Sequence, residues 1–415
     1  MKVLWFSASV PSRYTYGKKY LAGWQDSLEQ LVRSRKDIEL AVAFPISVAA
    51  EPKETDGVWY YPIYAPLSRF EKLKSRFSAY IQINKQIEMG KKIIENYSPD
   101  IIQVFGTEFG FGLLAKHTEI PVVVHILGAM IPYGNAKFPP GYNNYTYFKA
   151  VKGNLFRWLN NYAICKFRDS RVVMEREVWK QVKYYMGRTD WDKAVSGVLC
   201  SGRHYYHVDE ALRPDFLSRK YQWTPPCDGK LRLVSTGCGT LWKGLDMMLK
   251  TAKILKEMDV EFEWTVCGRM PNDHRQIVEY HEHTTFKEAG INLLGMTPPD
   301  KLAELLATST LYVHTSYIDN SPNSICEAQC IGIPVISTNV GGISSLVANG
   351  IDGILVPAND PYQMAYNIVT ISKDERKMKT FSENAKLKAL ERHNPDIIIA
   401  QLYDCYNQIK NERIK

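Results

Sequence analysis

Two carboxylates, Asp319 and Glu327, stand eight residues apart in TSYIDNSPNSICEAQCIGIPVISTNVGG (315–342), across a loop and the start of a helix. Pro322 suits the first helical position, where a missing N–H costs nothing. A short strand from Pro334 to Asn339 and the Gly341-Gly342 pair follow. A helix that opens on a cleft offers free N–H groups and a positive dipole end, which together bind phosphate. A carboxylate a turn or two further in accepts hydrogen bonds from sugar hydroxyls. Phosphate plus polyol describes a nucleotide sugar. The backbone at Asn320, Ser321, Asn323 and Ser324 is expected to face the phosphates or the sugar.

A second group of candidates lies in STGCGTLWKGLD (235–246), a glycine-rich turn between a strand and a helix. Gly239 lets backbone approach a ligand closely, and the Lys243 ammonium reaches a diphosphate as a point charge. Taken alone, a Lys-Gly pair after a strand is more often a solvated helix start. Arg269 follows Cys267-Gly268, and Gly295 with Thr297 follows the strand at 291–294.

The 315–342 segment resembles the signature of retaining glycosyltransferases of group 1 (family 4). There, two glutamates separated by seven residues flank a Pro-Asn pair and precede Gly-x-Pro-Val. Asp319 stands at the first glutamate, Pro322-Asn323 in the middle, Glu327 at the second, and Gly332-Ile333-Pro334-Val335 follow. Lys243-Gly244 likewise resembles the family's Arg-x(4)-Lys-Gly element, whose cations neutralise the leaving diphosphate, but the arginine position holds Cys238. The resemblance implies that Glu327 holds the ribose, that Asp319 positions the donor sugar, and that Lys243, Asp319, Glu327 and His125 form the catalytic set. It also implies that Gly17, in the loop after the first strand, lies beside the diphosphate, that Arg269 is a substitute cation, and that backbone groups at Gly295 and Thr297 meet the base. The family histidine falls two residues after His125, where this chain has Leu127, so His125 is also readable as a core residue.

These residues need α/β elements to position them. The first half alternates strands (Val3–Ser7, Ile38–Phe44, Val58–Tyr64, 101–105, 122–126) with helical stretches at Tyr20–Arg33 and from about Ser68 to Asn96. Short β-branched runs bounded by turn residues suit buried parallel strands, and the alternation predicts doubly wound sheets. A second α/β unit begins near Lys230, after the Pro-Pro and Asp-Gly pairs of 221–230. The expected domains are 1–220 on the acceptor side and 221–392 on the donor side, with a last helix at about 393–415 returning to the first. Two Rossmann-like domains facing across a cleft are the GT-B architecture that the resemblance implies.

On the acceptor side, 130–142 (MIPYGNAKFPPGY) is long, aromatic and without a helix or strand pattern, and such loops on α/β scaffolds bind ligands. Tyr133 and Asn135 are its candidates, with Arg188 in GRTDWD (187–192) as a second, equally readable as a salt-bridged turn. In Ser68–Lys92, basic residues accompany Phe70, Leu73, Phe77 and Tyr80, a pattern that suits an anionic membrane surface or a solvated face over a core stripe.

With 415 residues the chain exceeds one ordinary core. Its +8 formal charge fits an anionic substrate or an acidic membrane and argues weakly for nucleic acid, which is not an expected partner. The eight cysteines form no C-x-x-C pair, so no metal site is expected, and reduced thiols point to the cytoplasm. The apolar run at the N-terminus is too short for a signal peptide, and no stretch is long enough to span a membrane. A peripheral place at the inner membrane face is the other expectation.

The sequence therefore predicts transfer of a hexose from a nucleoside diphosphate sugar to a glycan or lipid-linked hydroxyl, with retention, without cofactor or metal, in polysaccharide or glycolipid assembly. A sugar-nucleotide epimerase or hydrolase on the same fold, and a weakly active binding subunit, are the alternatives. A dinucleotide oxidoreductase is disfavoured, because no G-x-G-x-x-G follows either first strand.

Overall fold

The computed structural model describes residues 1–15 and 23–414, with side chains through residue 412. Gly17 lies outside the described residues. By mutual contacts the chain divides into two compact units, Met1–Asn135 with Asn160–Ala211 and His393–Lys415, and Ala136–Leu159 with Leu212–Arg392. The boundary expected near 220 thus falls between 211 and 212. Residues 136–159 group with the second unit, although their place in the sequence suggested the first.

In the first unit the strands are β1 (Lys2–Phe6), β2 (Glu39–Ile46), β3 (Lys53–Thr55), β4 (Val58–Tyr64), β5 (Ile101–Phe105), β6 (Val122–His125), β7 (Tyr184–Gly187) and β8 (His204–His207). They form one sheet in the order β3-β4-β2-β1-β5-β6-β7-β8, parallel except for the β3–β4 hairpin. β1, β5 and β6 are apolar along nearly their whole length and buried, as sheets covered on both faces require. One face packs on helix Tyr80–Tyr97 through Ile83, Ile87 and Ile94. The other packs on helices Trp24–Arg33 and Pro395–Ile414, with Trp5 Nε1 donating to the Tyr406 hydroxyl at 3.0 Å. Strands β3, β7 and β8 were absent from the sequence reading. They are only three or four residues long and rich in aromatic and polar side chains, which leaves little apolar pattern.

The single helix expected from about Ser68 to Asn96 is two, Arg69–Ser75 and Tyr80–Tyr97. The first starts on a capping box between Ser68 and Glu71. The break is anchored where the Ala79 N–H donates to Ser170 Oγ at 2.8 Å.

The second unit holds β9 (Leu231–Thr236), β10 (Phe262–Cys267), β11 (Ile291–Gly295), β12 (Leu311–His314), β13 (Val335–Thr338) and β14 (Gly353–Val356), in the order β11-β10-β9-β12-β13-β14 and all parallel. Successive strands run outward from β9 in one direction and from β12 in the other. The crevice beyond the carboxyl ends of β9 and β12 is therefore a topological switch point, where open α/β sheets bind ligands.

Candidate active site

Lys243 and Asp319 come from the two loops that flank this switch point. Lys243 ends a tight turn, Leu241–Lys243, and Gly244 continues with φ +73° into helix Leu245–Glu257. Glycine is required there, since a Cβ would run into the Thr315 carbonyl oxygen. Three contacts join the loops. Thr315 Oγ1 donates to the Lys243 carbonyl at 3.0 Å, the Tyr317 N–H donates to the Trp242 carbonyl at 2.8 Å, and Gly244 abuts Thr315. Gly244→Ala is expected to cost more than about 1 kcal/mol, through strain at positive φ and the backbone clash. Differential scanning calorimetry checks this, and an unchanged melting temperature would refute it.

Asp319 is buried, and its Oδ2 is the centre of the cluster. It accepts from Lys243 Nζ at 2.5 Å, His314 Nε2 at 3.1 Å and Ser316 Oγ at 3.3 Å. Burial by itself would raise this carboxyl, but Lys243 and His314 outweigh it and hold the group well below the ordinary carboxylate range. His314, at the end of β12, is pushed down by burial and is neutral at pH 7. The Gly341-Gly342 pair closes the loop from the β13 side. The Gly342 N–H donates to the Asp319 carbonyl at 2.9 Å, and Gly341, at φ +55°, leaves no room for a Cβ beside that carbonyl. These glycines serve a close approach between protein backbones.

Helix Asn323–Ile331 begins at the end of the same loop. Pro322 is its N-cap and lies one residue earlier than the first helical position expected for it, and no side chain caps the helix. Asn320 and Ser321 are buried in the loop, while Asn323 and Ser324 are half-buried in the first turn. One turn in, Glu327 Oε1 accepts from both Nη2 (2.6 Å) and Nε (2.9 Å) of Arg213. Burial pushes the Glu327 carboxyl up to about 6, and the Arg213 guanidinium limits the rise. Arg213 also lies over the Phe216 ring, 4.7 Å from its centroid.

The sequence reading missed Arg213 and His314. Arg213 lies 114 residues from Glu327 and carries no motif. His314 ends an apolar strand, LYVH, and that is the only signal it gives. Cys238, at the family's arginine position, is buried, and its thiol is pushed up to about 12 by burial. It supplies no positive charge.

Gly239 packs its backbone against the Arg269 carbonyl, so its close approach is to protein. The Arg269 side chain is exposed. Gly295 (φ +74°) accepts from the Gly268 N–H at 2.7 Å and from Thr297 Oγ1 at 3.1 Å. The loops after β9, β10, β11 and β12 are thus linked at one edge of the sheet.

In the first unit, His125 is 0% exposed and packs against Trp24 and Phe105. Its Nε2 lies 3.2 Å from the Val208 carbonyl, and burial pushes its pKa down to about 3. It is a neutral core residue. Arg188 is buried as well. It donates to the Leu127 carbonyl at 2.9 Å and lies 3.8 Å from the Glu210 carboxylate. The turn that follows it is the capped start of helix Asp190–Leu199, with Thr189 and Asp192 forming a capping box.

The 130–142 stretch is not structureless. It holds the short helical turns Met130–Tyr133 and Gly134–Ala136, and the Met130 and Ile131 N–H groups donate to the buried Glu175 carboxylate at 2.8 Å each. Tyr133 is half-buried beside Trp191, and Asn135 is exposed. Tyr142, at the far end, belongs to the second unit, where its hydroxyl donates to Glu282 at 2.8 Å.

Residues 224–388 match the family model described as glycosyl transferases group 1. Among curated relatives, the chain is 31% identical over 173 residues to the N-acetyl-alpha-D-glucosaminyl L-malate synthase of Bacillus anthracis, covering 41% of this chain and 44% of that protein. It is 24% identical over 185 residues to the amylovoran biosynthesis glycosyltransferase AmsK of Erwinia amylovora, covering 43% and 45%. The matched stretch thus spans less than half the length of these relatives. Solved structures match along nearly the whole chain. Sucrose-phosphate synthase from Thermosynechococcus elongatus has a TM-score of 0.72 at 14% identity, covering 98% of each chain. Anabaena HepE in complex with UDP-glucose has a TM-score of 0.68 at 14% identity, covering 98% of this chain and all of that one. Residues 224–388, which include Lys243, Asp319 and Glu327, are thus similar to glycosyl transferases group 1, and the chain as a whole has the GT-B fold.

Proposed function

We propose that this protein is a retaining glycosyltransferase that moves a hexose from a nucleoside diphosphate sugar to a hydroxyl of a glycan or lipid-linked acceptor, in surface polysaccharide or glycolipid assembly. The observation that carries this reading is the Lys243 ammonium, fixed by Asp319 at the switch point of the second sheet and beside an uncapped helix start. An ammonium has three donors. Among the described residues one is spent on Asp319, which leaves two for the oxygens of a diphosphate. Preorganised charge of this kind stabilises a leaving group without a metal. In this reading Asp319 aims Lys243, and Glu327 accepts from the ribose hydroxyls.

The bond from the sugar's anomeric carbon to the diphosphate oxygen breaks, and one to the acceptor oxygen forms on the same face. The acceptor proton passes to the departing diphosphate, so no protein nucleophile is required. The similarity to AmsK, an amylovoran biosynthesis glycosyltransferase, and to HepE, seen in complex with UDP-glucose, supports the setting and makes UDP-hexoses the first donors to try.

A thermal-shift panel of UDP-, GDP- and ADP-hexoses tests the reading. A donor at about 100 times its dissociation constant should add roughly 2.7 kcal/mol of stability. Nucleoside diphosphate should then be released only when an acceptor is present, whereas an epimerase needs none. Absence of a shift with every donor would sink the proposal.

We place the protein in the cytoplasm, in contact with the inner membrane face. Phe70 (65% exposed), Leu73 and Phe77 project beside Lys72 and Lys74, with Lys74 Nζ 4.3 Å from the Phe70 ring centroid. Apolar side chains interleaved with lysines suit an anionic bilayer. No helix among the described residues is long and apolar enough to cross a membrane. Flotation with anionic liposomes at low salt is expected to carry the protein upward, and Phe70→Ser with Leu73→Ser to leave it at the bottom. Equal flotation of both would discard the contact.

A further inference from the structure

Beyond the donor site, the first unit carries a cavity of about 460 Å3 at the carboxyl ends of β2 and β4. This is within the volume range of small-ligand sites, and it lies beyond the carboxyl ends of two parallel strands. Ser47 follows the last residue of β2 and Tyr64 is the last of β4, while Lys72, Gln82 and Gln86 reach in from the two helices that follow. Pro45, Ile46 and Leu67 add an apolar lining.

The cavity wall is braced from within. Gln82 Nε2 donates to the Ala65 carbonyl at 3.1 Å, and Lys85 Nζ donates to the Pro66 carbonyl at 3.0 Å. Lys85 is neutralised by Glu71 at 2.9 Å. Lys72 is not neutralised. Among the described residues neither its ammonium nor the Gln86 amide has a hydrogen-bond or ion-pair partner. Lys72 and Ser47 are exposed while Gln86 and Tyr64 are half-buried, and a cation beside an amide, two hydroxyls and an apolar lining suits a ligand with a negative charge, several hydroxyls and a C–H face.

We propose that this cavity binds a phosphate-bearing polyol. Lys72 holds the phosphate, Gln86, Ser47 and Tyr64 take the hydroxyls, and Pro45, Ile46 and Leu67 meet the carbon skeleton. Its assignment as the acceptor end rests on the glycosyltransferase reading; the binding itself does not. Such a group is carried by a phospholipid headgroup and by a soluble glycan phosphate alike.

The test uses the full chain and isothermal titration with glycerol 1-phosphate, with glycerol as the neutral control. Glycerol 1-phosphate is expected to bind saturably and glycerol not to bind. Lys72→Ala and Gln86→Leu should each weaken the phosphate probe at least tenfold while UDP affinity stays within twofold. Sedimentation with phosphatidylglycerol vesicles separates the sources. Vesicle binding reduced in Gln86→Leu marks a lipid headgroup. Unchanged vesicle binding alongside loss of the soluble probe marks a glycan phosphate. No binding of either probe to the wild type, or wild-type affinity in both variants, overturns the proposal. Failure of UDP alone to bind would instead count against the donor-site reading and leave the cavity result standing.

Discussion

Lys243→Ala is expected to lower the rate of nucleoside diphosphate release by at least about a hundredfold, the cost of removing one preorganised group that stabilises developing charge. The loss should appear in kcat, because in the proposed reaction the ammonium matters most when the diphosphate departs. Among the described residues, the substitution also leaves buried Asp319 with only His314 and Ser316 as side-chain donors to its carboxylate. Removing one partner of a buried ion pair typically costs about 3–5 kcal/mol, and the 23% exposure of the Lys243 side chain places this case at or below the lower end.

The pH dependence follows from the depressed Asp319 carboxyl. A depressed carboxyl contributes stability that is present above its unfolded value of about 3.9 and is lost as pH falls toward the folded value. The difference in melting temperature between wild type and Lys243→Ala should therefore be widest near neutrality and narrow below about pH 4. Lys243→Arg keeps the charge and should retain both stability and part of the rate. Calorimetry beside a product-release assay separates the two losses, and near-wild-type turnover in Lys243→Ala would remove Lys243 from the mechanism.

The second large effect concerns Glu327. In the proposed reading Glu327 accepts the ribose hydroxyls, and it should then bind nucleotide only when ionised. UDP affinity is therefore expected to fall as pH drops through about 6, the raised value of this carboxyl. Hydrogen bonds to a charged group are worth about 1.5–3 kcal/mol, so Glu327→Gln should bind UDP roughly tenfold to a hundredfold more weakly at pH 7.5, with the step near pH 6 gone. Arg213→Ala removes the cation that limits the rise and should move the midpoint upward, a displacement that simple loss of packing would not produce. The stability sign is opposite to that of Asp319. A raised carboxyl favours the folded state most below its ordinary value of 4.5, and that contribution is lost as pH rises through about 6. Titration calorimetry from pH 5 to 8 on the three proteins reads these effects, and a flat wild-type profile would remove Glu327 from the nucleotide site.

Much of this was legible in the amino-acid order because it is local. Short β-branched runs separated by helical spacing allow little but parallel strands with crossovers, and β4, β5 and β6 lie within a residue or so of where the pattern puts them. The Lys243-Gly244 and Asp319–Glu327 spacings are likewise contained in single loop-to-helix segments, so their geometry follows from a few consecutive residues. The sequence determined which residues stand at the carboxyl ends of the strands.

Only the tertiary structure decided what those residues touch. Asp319 is bonded to Lys243, 76 residues away in the chain, and Glu327 to Arg213, 114 away. No spacing rule encodes either pair, because each exists only once distant segments have packed. The same holds for His125 and Arg188, whose side chains suggest chemistry but which lie in a core that desolvates them. It also holds for residues 136–159, which pack on the second unit through bonds such as Tyr142 to Glu282, against the order of the chain. Local pattern sets where the backbone goes, and burial and long-range pairing set the charge and partner of each side chain. For that reason the fold could be read from the sequence, while the partners of Asp319 and Glu327 could not.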